Sequence, residues 1–494
     1  IEKALRFIED GAQIDEMLVI TFTRAAAGEM RQKLADELLK RAADNRHMAK
    51  QYQRLGRAKI STIHTFCYDT IRENFVEAGI DPLSSIGSGA QLTALKERAI
   101  DEALDLLYDK QDDGSLQLIR SFEEEEITGM LNKLYFFLMA IPDPWDWLED
   151  SLDNCSDEKS LLENPLFALM LDEAMIQLEG ALQLAHMCES IALEENGPLR
   201  YLETAQQDIE LVKYLIAEIE NGIYIRDFNK IQFSRLNSKK APPEESVEEQ
   251  ERFKALREEL KKCVKNASEY LPNGEKELTF FTEIIAKTVP AKRALAQLTK
   301  DIHDIYIEHK RRRQLLDFND LEHLALKALR DDYVRKNVSG KFKAIFVDEY
   351  QDISRIQEEI IKSIHIDNRL FMVGDVRQSI YRFRLADPGL FLDKYDSFDE
   401  HENADSRLIP LQTNFRSSKN ILDAVNEVFS STMRRRVTEL DYDNKARLIP
   451  PKNKEPEKVD ANSIEVNLIL KTKDSDEDDS KIVDTTKRKD IELE

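Results

Sequence analysis

The sequence predicts an α/β protein whose parallel sheet comes from two separated stretches of chain, with a large all-helical insertion between them. Three observations predict it. Residues 17–23 (Met-Leu-Val-Ile-Thr-Phe-Thr) and a stretch within 58–66 are short apolar runs, each leading into helix-like sequence. From about 90 to 330 strand signal almost vanishes, and apolar residues fall at helical spacing, as in Ile209, Val212, Ile216 and Ile219 or Leu295, Leu298, Ile302 and Ile305. Strand-like runs then return at 343–347, 370–374 and 407–412.

Taken in order, the first strand feeds a helix from Arg24 to Lys40, and the second ends in Ser61-Thr62-Ile63-His64-Thr65-Phe66. The pattern changes around Asp81-Pro82-Leu83, and breaks within the helical stretch fall at Asp112-Asp113-Gly114, between Pro142 and Pro144, at Ala241-Pro242-Pro243 and at Pro272-Asn273-Gly274. A separate helical domain is the plain alternative to an insertion. From Lys471 to Glu494 the chain is dominated by Asp, Glu, Lys, Ser and Thr, and the acidic run Asp474 to Asp479 reads as solvated or disordered.

At 494 residues the length suits roughly three domains. The sequence opens at Ile1 directly in helix-like residues, which fits a piece of a longer protein. Charged residues make up 34%, mean hydropathy is −0.50 and no long apolar run is present, so no membrane span is expected. The net charge of −24 argues against simple electrostatic coating of nucleic acid. It leaves room for a local basic groove, because screening confines charge effects to about 8–10 Å. Cys67, Cys155, Cys188 and Cys263 are far apart without a C-x-x-C pair, so neither disulfides nor a zinc or iron–sulfur site is expected, and a cytoplasmic location fits.

The densest chemistry lies in Phe346-Val347-Asp348-Glu349-Tyr350-Gln351-Asp352 and Val373-Gly374-Asp375-Val376-Arg377-Gln378. Each is an apolar run ending in polar groups. Asp348 suits Mg²⁺, which takes one carboxylate beside nucleotide phosphates, and Glu349 suits a base that accepts a proton from water. An acidic turn after a strand is the simpler alternative. The Gln378 amide can donate to a γ-phosphate oxygen. Beyond it, Tyr381, Arg382, Phe383 and Arg384 interleave rings with guanidinium groups, a composition suited to stacking bases and holding phosphates of a single strand. The alternative is that Phe383 is core. In Asn414-Phe415-Arg416-Ser417, Phe415 could stack on adenine and Arg416 could reach a γ-phosphate. Thr21 to Arg24 and Thr62 to His64 sit at strand ends, where open α/β sheets bind ligands, although His64 alone reads more simply as structural. Lys310-Arg311-Arg312-Arg313 reads as a solvated helix face. No Gly-x-x-x-x-Gly-Lys-Ser/Thr loop occurs; Ser339-Gly340-Lys341-Phe342 lacks both the earlier glycine and the hydroxyl.

Ile20 to Ala27, Ser61 to Phe66, Val347 to Asp352, Val373 to Arg384 and Asn414 to Ser417 resemble, in order, motifs Ia, Ib/Ic, II, III and IV of the UvrD-like superfamily 1 helicases. Leu316-Asp317-Phe318-Asn319-Asp320-Leu321 resembles the segment that returns from that family's helical insertion, and Gln378 to Pro388 most resembles the AddA (RexA) branch, subunits of the AddAB helicase–nucleases. The resemblance implies a RecA-like parallel-sheet P-loop NTPase motor domain 1A in two parts, residues 1–84 and 311–418, a helical subdomain 1B at 85–310, and the start of motor domain 2A with an acidic tail at 419–494. It implies ATP-driven 3′→5′ movement on single-stranded DNA, unwinding duplex ends for recombinational repair with an AddB (RexB) partner. Asp348 matches the Mg²⁺ position, Glu349 the base, Gln378 and Arg416 the catalytic γ-phosphate contacts and Phe415 the adenine stack. Phe22, Thr23, Arg24, Thr62, His64, Tyr381, Phe383 and Arg384 match the DNA track. The family's phosphate loop, adenine-reading glutamine motif, motifs V and VI and nuclease have no match in these residues, so the chain by itself is expected to hydrolyse no ATP and cut no DNA. A non-catalytic scaffold and a repair helicase without a nuclease are the other readings. Asp348, Glu349, Gln378 and Arg416 together favour the motor, since a scaffold needs none of them.

Overall fold

The computed structural model describes all residues except 44, 154–164, 223–230, 238–241, 243–244, 273–274, 367, 400, 402–404 and 452–494. Cys155, Ala241, Asn273-Gly274 and the tail from Lys471 lie outside the described residues. The chain divides into two compact units: residues 1–171, 213–238 and 268–407 form one, and 172–212, 239–267 and the described residues after 407 form the other.

In the first unit the described strands are β1 (Met17–Thr21), β2 (Lys59–Thr62), β3 (Ser85–Ile86), β4 (Leu315–Leu316), β5 (Ala344–Val347) and β6 (Arg369–Met372). Four of them make one parallel sheet in the order β2-β1-β5-β6. Val19 pairs with both Ile60 and Phe346, and Phe346 with Phe371. Successive side chains of a strand point to opposite faces, and β1 is buried along its whole length. Leu18 and Ile20 join Ile345, Val347, Leu326 and Ile360 on one face, whereas Met17 and Val19 join Leu5, Ile8, Leu34 and Met48 on the other. A parallel sheet covered on both faces explains why β1 reads as a continuous apolar run.

Helices begin where the strands stop. The Thr23 hydroxyl accepts from the Ala26 N–H (3.0 Å) to start Arg24–Ala42, and the Thr62 hydroxyl accepts from the Thr65 N–H (3.3 Å) to start Ile63–Glu73. Such caps contribute about 1 kcal/mol each. Between β3 and β4 this unit is helical: Gly89–Asp109, Asp113–Ser121, Glu124–Leu138, Pro144–Asp153 and the 38-residue Glu275–Arg312, which carries Pro290 inside it. Their apolar faces meet around Ile100, Leu104, Leu131, Leu298 and Ile302. The parallel β3–β4 ladder joins the two ends of this stretch, and Ser85 and Gly87 donate to Gln314 and Leu316 (3.0 Å each).

Two expectations are corrected. Residues 407–412 form no strand; only isolated bridges occur, Asp399 with Arg407 and Thr413 with Ile449. Pro410 has no N–H to donate and Leu411 is 81% exposed, so the apolar run finds no neighbouring backbone to pair with. Lys310 is not solvated either: it is 3% exposed, with Nζ 2.7 Å from Asp317 and 2.6 Å from Asp320, while Arg311, Arg312 and Arg313 are exposed. Asp317 and Asp320 form the capping box of helix Phe318–Leu329, which packs this carboxylate pair against the end of the long helix. Lys310 also lies 4.2 Å from the centre of the Tyr306 ring.

In the second unit, helix Leu202–Glu220 and helix Val247–Glu269 are joined by buried Arg257, which donates to both Asp208 oxygens (2.6 and 3.1 Å). Helix Lys419–Thr432 carries Asn426, which holds Leu448 through both its backbone groups (2.9 and 3.0 Å).

Candidate functional site

Parallel strands end on the same edge of their sheet, so the segments after β1, β2, β5 and β6 emerge together. Asp348 follows β5, is half-buried, and its N–H donates to Ile20 at 2.9 Å. Burial first, and then the neighbouring Glu349 charge, hold its carboxyl above the usual range. Glu349 is exposed and sits at φ 52°, in the left-handed region that a side-chain-bearing residue adopts only under constraint.

The constraint comes from Gln351, a residue to which the sequence reading assigned no role. Its side chain is buried; Nε2 donates to Glu349 Oε2 (2.8 Å) and Asp352 Oδ2 (3.3 Å), and Oε1 accepts from the Asp375 N–H (2.9 Å). The Tyr350 N–H donates to Val373 (2.9 Å), closing the same junction from the backbone. Gly374 is required there, since a Cβ would fall 2.5 Å from Gln351 Oε1. Asp352 Oδ1 is buried without a hydrogen-bond partner, and burial and then Glu349 push the Asp352 carboxyl up. Asp375 accepts from Arg377 Nε (2.8 Å) and Gln378 Nε2 (3.1 Å). Burial would raise its carboxyl, but Arg377 and Gln378 outweigh that and hold it low.

Past Gln378 the chain forms an aromatic platform. The Phe22 and Tyr381 rings lie 4.6 Å apart and Tyr381 and Phe383 5.9 Å apart, with the Arg384 guanidinium 5.3 and 5.6 Å from the latter two rings. Phe383 is 68% exposed, which rules out a core role. Thr23 and Arg24 are exposed beside Phe22. After β2, Thr62 is buried and engaged as a helix cap, whereas His64 is partly exposed. His64 Nε2 lies 3.2 Å from buried Glu322, which also accepts from Gln357 (2.7 Å), and its ring meets exposed Phe318 edge-on at 4.9 Å. Phe318 and Glu322 also escaped the sequence reading; only the fold brings them from the returning helix to the end of β2.

Phe415 and Arg416 belong to the second unit. There Asn414 Oδ1 accepts from the Arg416 and Ser417 N–H groups (2.9 Å each), leaving Phe415 75% exposed and Arg416 exposed.

Residues 1–399 match the family model described as the UvrD/REP helicase N-terminal domain. The chain is similar to proteins named as the AddA-type component of an ATP-dependent helicase/nuclease: 36% identical to that of Alkaliphilus oremlandii, covering 97% of this chain and 40% of the relative. Corresponding values are 34%, 92% and 37% for Syntrophomonas wolfei, and 34%, 88% and 37% for Listeria monocytogenes. The chain thus spans about two fifths of the length of the curated relatives it matches. With the motif-bearing ends of four parallel strands gathered on one sheet edge, these matches establish that the chain belongs to the UvrD/REP helicase family.

Proposed function

We propose that this chain is a motor portion of the AddA-type component of an ATP-dependent 3′→5′ DNA helicase/nuclease, acting with a second polypeptide on duplex ends in recombinational repair. The observation that carries the reading is the junction of an acid pair, an amide-bearing turn and a ring-and-guanidinium platform at one sheet edge. The relatives' names support it. In this reading the parallel sheet is RecA-like domain 1A, from residues 1–84 and 311–418, the helices of 85–310 are subdomain 1B, and domain 2A starts at 419.

The residues present fit Mg²⁺–ATP. Asp348 is half-buried, with a carboxyl raised by burial and by Glu349, so a cation beside it would relieve an unfavourable charge. Among the described residues no group of three or more His, Cys, Asp or Glu could hold a metal. Mg²⁺ needs fewer, because phosphates and water complete its octahedron. Bound Mg²⁺–ATP would supply the transferable phosphoryl group. Glu349 would take the proton of the attacking water, Gln378 and Arg416 would contact the γ-phosphate, and Phe415 would stack on adenine. Phe22, Tyr381 and Phe383 would stack bases, with Arg24, Arg384, Thr23, Thr62 and His64 along the backbone.

The test is phosphate release by the full natural polypeptide that carries this chain, with and without single-stranded DNA, and strand displacement on 3′- and 5′-tailed duplexes. DNA-stimulated turnover and displacement from the 3′ tail alone are expected. Absence of nucleotide turnover would favour a scaffold. The 494 residues alone are expected to release no phosphate, for want of a phosphate-cradling loop.

A further inference from the structure

We propose that Gln351 is a positioning residue that ties the Glu349 carboxylate to the Gly374–Asp375 turn, so that one buried amide links nucleotide chemistry to the DNA platform. This rests on the reading above. Gln351 is 1% exposed, and the two ends of its amide face different segments. The nitrogen faces the carboxylates of Glu349 and Asp352, and the oxygen faces the Asp375 N–H. Only that orientation matches donors to acceptors on both sides.

Each side of this bridge is under constraint. Glu349 holds a left-handed backbone, a conformation that persists only where its surroundings impose it. Its exposed carboxylate would otherwise sample several rotamers, and a base out of line with its water is a poor base. On the other side, a Cβ at Gly374 would meet Gln351 Oε1 at 2.5 Å, Phe391 Cε2 at 3.1 Å and Gln351 N at 3.2 Å, so the turn is pressed directly against the amide. From there the linkage is short. Asp375 accepts from Gln378, and Tyr381, three residues further on, lies against Phe22 and Phe383. A shift of the turn when bases enter the platform therefore changes the hydrogen bond that aims Glu349.

The test uses the full natural polypeptide that carries this chain, with Gln351→Glu, Gln351→Met and Gly374→Ala. Gln351→Glu keeps the shape and the acceptor for Asp375 but replaces the donor to Glu349 with a repelling charge. Gln351→Met keeps the volume and removes the amide. ATP turnover is measured against ATP concentration with and without oligo-deoxythymidylate. Affinity for labelled oligo-deoxythymidylate is measured by fluorescence anisotropy with and without a non-hydrolysable ATP analogue. The expected result is loss of about tenfold or more in DNA-stimulated kcat, together with collapse of the analogue-dependent change in DNA affinity, because coupling between two binding sites is reciprocal. KM for ATP and nucleotide-free DNA affinity should stay within about threefold, a split that general misfolding would not produce. Wild-type stimulation and a wild-type analogue effect in Gln351→Glu would overturn the inference. Absence of DNA-stimulated turnover in the unsubstituted protein would instead overturn the proposed function.

Discussion

Two carboxylate pairs occupy the first compact unit, and they differ in what answers their charge. Asp317 and Asp320 are buried around Lys310 Nζ, which lies within 2.7 Å of both. Asp348 and Glu349, at the end of β5, form no ion pair with any described side chain, and Glu349 faces solvent beyond an amide donor. In the first pair burial raises both carboxyls. Lys310 outweighs it at Asp317, which stays low, while Asp320, facing the Asp317 charge as well, is pushed up to about 6. An acid pair that folding satisfies from within is structural. One left facing a cleft can satisfy a ligand instead.

The comparison can be broken most sharply at Glu349. Gln at this position should lower nucleotide turnover of the full polypeptide by about 10²–10⁴-fold while leaving its thermal midpoint in place; retained turnover would show that Glu349 is not the base. Next comes Lys310→Met, which leaves two buried carboxylates around an uncharged chain. It should cost about 3–5 kcal/mol in urea unfolding. Asp348→Asn, by contrast, should stay within about 0.5 kcal/mol of wild type. Equal losses for these two would erase the distinction between the pairs. Phe383→Ala should weaken single-stranded DNA binding by about 1–3 kcal/mol, read by anisotropy, and an unchanged affinity would remove Phe383 from the platform.

The smallest effect concerns pH, because Asp317 and Asp320 shift in opposite directions. Asp320 has its carboxyl raised from 3.8 to about 6. It therefore contributes stability that is present below its unfolded-state value and lost as pH rises through about 6. Asp317, held low, contributes stability present above its unfolded-state value and lost only in stronger acid. Wild type should thus lose ground to Asp320→Asn between about pH 4.5 and 7 in urea-midpoint measurements. A constant difference would show that Asp320 does not titrate there.

Much of this was legible in the sequence where the signal was local. The central strand β1, the helix start at Arg24 and the order of the motif segments depend on neighbours along the chain. What escaped depends on partners far away. Gln351 stood in plain view between acidic residues, but its role comes from Asp375, on the turn after the next strand. Lys310 stands in a basic run, and only the return of the chain at Asp317 buries it. The stretch 407–412 has strand-like composition, yet a strand exists only where another backbone pairs with it. Phe415 and Arg416 were identified by motif alone, and the geometry of their own unit adds their exposure.

The divided sheet bears on how the protein is made. β1 ends at Thr21 and its neighbour β5 begins at Ala344. At about 5–20 residues per second, a ribosome needs on the order of a quarter of a minute to a minute to bridge that interval. Until then the apolar edge of the nascent β1–β2 pair is unfilled, a template for mispairing with other chains. Translation products that stop inside the helical stretch should therefore depend on chaperones and aggregate readily, and release of β5 and β6 should end that dependence.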